Sequence, residues 1–105
     1  MTAGHVTPAG RSVLDELNLD PAFVAKAKLS IRIMKTIKEL GLTQREAAKR
    51  IPITQARLSS INRGKLDDIS QEKLEECLQA LGHDIEIRVG PRREGVGTLR
   101  VREAA

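Results

Sequence analysis

Two short helix-forming segments parted by a proline constrain this chain more than any other feature. Thr43-Gln44-Arg45-Glu46 reads as a capping box. The threonine hydroxyl can accept the Glu46 N–H while the glutamate carboxylate returns to the Thr43 N–H. The pattern predicts a helix over Gln44–Ile51. Pro52 cannot continue it and disfavours a helical conformation at Ile51, so the chain must turn. Thr54 then caps a second helix that runs to about Asn62 and stops near Gly64. Ile53 and Leu58 stand at the positions of a hydrophobic staple around that cap. Helices of about 8 residues do not persist alone, so both must pack on longer neighbours.

Those neighbours are legible on either side. Asp20 followed by Pro21 starts a helix, since a carboxylate caps it and the missing proline N–H costs nothing in the first turn. Phe23, Ala27, Ile31 and Met34, with Ile33, Ile37 and Leu40, predict a wide apolar face ending at Gly41. Ser12 caps a short helix expected over Val13–Leu17. Ser70 caps a further helix, with Leu74, Cys77, Leu78 and Leu81 on one face and Gly82 closing it. The period then changes to two: Ile85, Ile87 and Val89 alternate with Glu86 and Arg88, which predicts a strand ended by Gly90 and Pro91. Leu99 and Val101 suggest the second strand of a loose hairpin. The expectation is a mainly α bundle of about five helices with a C-terminal β-strand. Its parts are a disordered segment over 1–11, a helical domain over 12–82, a strand over 83–90, and a flexible basic tail or second hairpin strand over 91–105.

A chain of 105 residues suits one domain. Phe23 is its one aromatic residue, which excludes single-strand nucleic-acid binding by base stacking. Cys77 is its one cysteine, so neither an internal disulfide nor a cysteine-built zinc site is expected. Cys77 is expected in the core, and His5 and His83 have no ligand cluster around them. No metal-ligand spacing, phosphate-cradling glycine loop or catalytic triad stands out, so neither enzyme activity nor a cofactor or metal is expected. Nothing approaches ~18 consecutive apolar residues, and no secretory signal opens the chain; a cytoplasmic protein without membrane contact is expected. The net charge is +4, but Thr43 to Lys65 holds six cations (Arg45, Lys49, Arg50, Arg57, Arg63, Lys65) against the single acid Glu46, a local +5. A focused basic segment suits a polyphosphate partner.

With Ala48 small at the crossing and Ile51, Ile53, Leu58 and Ile61 turned inward, the second short helix lies steeply across the first. Its leading half faces outward. This is helix-turn-helix geometry, in which the second helix enters the DNA major groove. Gln pairs bidentately with adenine and Arg with guanine, while helix N-termini suit phosphate.

The segment LTQREAAKRIPITQARLSSINRGK, Leu42 to Lys65, resembles the helix-turn-helix of the lambda-repressor-like (XRE) regulators. The flanking SVLDELNLDPAFVAKAKL and ISQEKLEECLQALGHDIEIRV resemble small XRE-type antitoxins, so the likeness spans about Ser12 to Val89. The resemblance implies that Gln44, with Arg45 beside it, meets a backbone phosphate. It implies base contacts from Thr54, Gln55, Ala56 and Arg57, with Ser59 and Ser60 one turn on. Asn62, Arg63 and Lys65 would hold the other phosphate strand. Pro52 departs from the family, which usually has glycine in the turn, so the turn must take a different conformation. Because Ala56 and Ser60 are small, base readout leans on Gln55 and Arg57.

A lone strand leaves its edge unpaired. Either Leu99–Arg102 folds back on it, or Ile85, Ile87 and Val89 of two copies pair into a homodimer that reads a palindromic operator with half-sites ~34 Å apart. The resemblance further implies an antitoxin that represses its own operon and binds a cognate toxin protein. The docking element would be Ser12–Leu19 or the arginines Arg92, Arg93, Arg100 and Arg102. The alternatives are a prophage-type repressor without a toxin partner, and a module that mainly binds a toxin.

Overall fold

Asp20 and Pro21 open the first helix as their chemistry requires: the Asp20 carboxylate accepts the Ala22 N–H at 3.3 Å, and Pro21 occupies the first turn. A computed structural model describes residues 19–104, and four helices form the regular structure among them. They are α1 (Pro21–Glu39), α2 (Gln44–Ala48), α3 (Gln55–Asn62) and α4 (Gln71–Ala80). The helix expected over Val13–Leu17 and the segment 1–11 lie outside the described residues. No described helix is long and apolar enough to cross a membrane.

Helix α1 packs chiefly on α4, α2 packs on α3, and α3 also leans on α1. Ile33, Leu58, Leu74 and Cys77 are the large side chains sealed completely at the centre, with Ile37, Ala47, Ile51, Ile61, Leu66 and Ile69 around them. Burying a leucine or isoleucine of this kind contributes about 1.5–3 kcal/mol.

Several expectations are corrected. The first short helix ends at Ala48 and not at Ile51. Its last turn tightens, with the Lys49 N–H on the Glu46 carbonyl (3.2 Å) and the Arg50 N–H on the Ala47 carbonyl (2.9 Å). That three-residue spacing releases Ile51 before Pro52 and lets its side chain drop into the core. The small residue packed inside is Ala47, while Ala48 is only half-buried.

The buried face of α1 is also rotated from the expected one. Ala27, Ile33 and Ile37 are covered as expected, together with Val24, Ala25, Leu29, Ser30 and Thr36, whereas Phe23, Ile31 and Leu40 stand 37%, 47% and 47% exposed. The helix carries more apolar positions than α3 and α4 can cover. Two hydroxyls sit inside instead because each bonds back along its own helix, Ser30 to the Ala27 carbonyl (2.9 Å) and Thr36 to the Arg32 carbonyl (2.8 Å).

No strand occurs among the described residues. Over Asp84–Val89 only Ile85 reaches the core; Ile87 and Val89 are 79% and 90% exposed. Leu99–Arg102 does not pair with them, although Val101 packs on the core. Both ends of this tail are attached to α1 at separate places. His83 Nε2 lies within hydrogen-bond distance of Thr36 Oγ1, at 2.8 Å. Farther back along α1, Lys28 Nζ donates to the Val101 carbonyl at 3.4 Å, and Arg32 pairs with Glu103. The Arg32 bond holds the Glu103 carboxyl below its usual range. Lys28 and Thr36 are two turns apart, roughly 12 Å along the axis. Paired strands need about 4.8 Å, so these anchors do not bring the segments together.

The rotated face makes a direct prediction. Ile33→Ala should cost about 2–5 kcal/mol in denaturant unfolding, and Ile31→Ala less than about 1 kcal/mol. Equal losses would restore the unrotated face.

Candidate nucleic-acid interface

Local hydrogen bonds set the geometry of α2, the turn and α3. The capping box is closed on both sides: the Thr43 N–H donates to Glu46 Oε1 at 2.9 Å and the Glu46 N–H to Thr43 Oγ1 at 3.1 Å. The Thr43 main-chain N–H, then its hydroxyl, hold the Glu46 carboxyl below its usual range. Gln44 is half-buried at the start of this helix and Arg45 is exposed. Exposed Pro52 marks the turn, between buried Ile51 and half-buried Ile53. Ile53 packs on the cluster that contains Leu58, the contact expected of the staple.

In α3 the Thr54 hydroxyl accepts the Arg57 N–H at 3.1 Å, and the Thr54 carbonyl accepts the Leu58 N–H at 2.9 Å. The Gln55 and Ala56 N–H groups have no acceptor within the helix, as its first turn dictates. Thr54, Gln55 and Ala56 are exposed, and behind them Leu58 and Ile61 are buried. Ser59 and Ser60 are half-buried, and Asn62, Arg63 and Lys65 are exposed. The helix ends in a Schellman arrangement. The Gly64 N–H bonds the Ile61 carbonyl (2.9 Å) and the Lys65 N–H the Ser60 carbonyl (3.1 Å), with Gly64 at φ 83°. That left-handed residue turns the chain sharply and presents Arg63 and Lys65 on either side of it.

The structure therefore places Gln55, Ala56, Ser59 and Ser60 on α3 with Thr54 as its cap, and sets Asn62, Arg63 and Lys65 at its end. Gln44 and Arg45 lie on α2. Ile85, Ile87 and Val89 belong to the tail and are not part of this group. Three contacts escaped sequence reasoning. Arg57 is half-buried, and its Nη1 donates to the Asp68 carbonyl at 2.7 Å. Lys26 Nζ donates to the Leu66 carbonyl at 3.1 Å. Arg63 Nη1 donates to Ser59 Oγ at 2.8 Å, a four-residue spacing that the sequence did offer as a clue.

Among the described residues no group of three His, Cys, Asp or Glu side chains is placed to hold a metal ion. An open groove of about 270 Å³ lies between α1 and the end of α3, lined by Ile31, Met34 and Ile61 with Lys35 and Lys38. Cys77 is buried, and burial pushes its thiol up to about 11. A protonated thiol is a poor nucleophile.

The family model of the helix-turn-helix domain matches residues 13–90. A solved structure named "Putative XRE Family Transcriptional Regulator" is 28% identical, with a TM-score of 0.69 over 81% of this chain and 96% of that one. No curated protein matches the chain.

Two outcomes are expected from these local features. Thr43→Ala should lower stability by about 1 kcal/mol in denaturant titrations at neutral pH. Because the folded-state value of Glu46 is lowered, its contribution is present above the ordinary glutamate range and is lost as pH falls through that lowered value. The gap between wild type and variant should therefore narrow in acid. Cys77 should resist a thiol reagent at neutral pH until denaturant is added; rapid native labelling would contradict its burial.

Proposed function

The chain belongs to the helix-turn-helix domain family, and from that premise we propose that it is a transcriptional regulator binding double-stranded DNA with sequence specificity. One observation carries the reading: α3 holds Leu58 and Ile61 in the core while Thr54, Gln55 and Ala56 face outward on its first turn. Among the described residues that turn of the helix is left exposed, and exposed Arg63 and Lys65 stand at the other end of α3. The solved XRE-named structure supports the same role.

In this reading α3 enters the major groove. Gln55 is the longest exposed polar side chain of its first turn and pairs with adenine N6 and N7. Thr54, Ala56, Ser59 and Ser60 line the rest of the groove-facing surface. Gln44 and Arg45 meet one phosphate strand, and Asn62, Arg63 and Lys65 the other. Positioning by phosphates and reading by bases are thus divided between the ends of α2 and α3.

The regulator acts as a homodimer on a two-fold operator. Exposed Ile87 and Val89, beside half-buried Ile85, supply an apolar segment for a second copy. Its cellular role is that of an antitoxin that represses its own operon and binds a toxin, supported by the likeness of the flanking segments. Growth rescue by co-expression with an adjacent toxic reading frame tests that role, and a harmless neighbour counts against it.

Selection of bound genomic fragments at a stated salt concentration tests DNA binding itself. On a selected site Gln55→Ala should cost about 1–3 kcal/mol and leave random duplex binding nearly unchanged. Arg63→Ala should weaken both alike and reduce the salt slope by about 1. Wild-type protein that enriches no duplex overturns the reading. Light scattering at micromolar concentration should show a dimer that Ile87→Lys converts to monomer.

A further inference from the structure

The segment joining α3 to α4 carries Arg63 and Lys65, and its backbone is held from three sides. Leu66 and Ile69 are buried in the core beneath it. From α3, the Arg57 guanidinium donates to the Asp68 carbonyl at 2.7 Å. From α1, the Lys26 ammonium donates to the Leu66 carbonyl at 3.1 Å, across forty residues of sequence. Irregular backbone has no ladder to satisfy its carbonyls, so side-chain donors of this kind fix its path. Bonds from a charged donor are the stronger sort.

Reading guanine takes two N–H groups along one edge of a guanidinium. With Nη1 bonded to the connecting segment, the paired Nη1 and Nη2 edge of Arg57 is no longer free, and the side chain is tied to the protein's own backbone. We propose that Arg57 and Lys26 are positioning residues that clamp the α3–α4 connection, fixing Arg63 and Lys65 relative to the start of α3. Arg57 then acts through the phosphate contacts of that connection and leaves base reading to Gln55. The DNA side of this assignment rests on the regulator reading; the clamp itself does not.

The test uses the full chain with Arg57→Ala, Arg57→Lys and Lys26→Met, each alone, and Arg57→Ala also in a background carrying Arg63→Ala and Lys65→Ala. Without DNA, amide hydrogen exchange of residues 65–69 should speed up in Arg57→Ala and Lys26→Met, while α4 stays protected. Arg57→Lys, which keeps a charged donor, should recover most of the protection. With DNA, Arg57→Ala should lose about 10-fold on selected and random duplexes alike, with base preferences unchanged at every position. In the background lacking Arg63 and Lys65, the same substitution should cost less than about 2-fold, because groups acting through one another are not additive. A changed preference at a single base pair, or losses that multiply in that background, would return Arg57 to direct reading. Unchanged exchange in the connection would remove the clamp. If wild-type protein binds no duplex above random, the regulator reading falls and the exchange arm still decides the clamp.

Discussion

Burial of Leu58 and Ile61 in the shared core is the constraint on which the presented surface depends. Neither α2 nor α3 is long enough to exist in water by itself. Each survives because apolar side chains on one side are taken out of solvent, at about 1.5–3 kcal/mol apiece. That one-sided attachment also leaves the opposite side of α3 open. Stability and presentation are thus the same event: the side chains that hold the helix determine which turn of it faces outward.

Local hydrogen bonding refines what burial begins. The Thr43–Glu46 box starts α2, Thr54 starts α3, and the Gly64 Schellman turn ends α3 with Arg63 and Lys65 placed beside it. None of these contributes more than a kilocalorie or two. Their effect is geometric, because each defines the residue at which a helix begins or stops. The connection after α3 is then tied to α1 and α3 by Lys26 and Arg57. A basic segment that looks continuous in sequence is therefore divided in space, with Arg57 bonded to the protein's own backbone and Arg63 and Lys65 exposed.

The tail follows a different logic. Alternation at Ile85, Ile87 and Val89 satisfies the pattern of a strand, yet a strand is a pairing between segments and not a property of one. Among the described residues the tail is fastened to α1 through His83, Val101 and Glu103, and its Ile87 and Val89 side chains are left exposed. The rotated face of α1 has a related origin. Periodicity marks Ile31 and Ile33 as equally apolar, and only the positions of α3 and α4 decide that Ile33 is buried.

The sequence alone determined the features that depend on neighbours within a turn: the caps at Asp20, Thr43, Thr54 and Ser70, the stops at Gly41, Gly64 and Gly82, and the burial of Leu58, Ile61, Leu74 and Cys77. These rest on backbone hydrogen bonds and side-chain spacing that a few residues settle among themselves. The early end of α2, Ala47 in place of Ala48 inside, the sector of α1 that is covered, and the engagement of Arg57 with Asp68 were decided by tertiary structure. Each depends on which distant group occupies the facing space, and no local pattern encodes that occupancy.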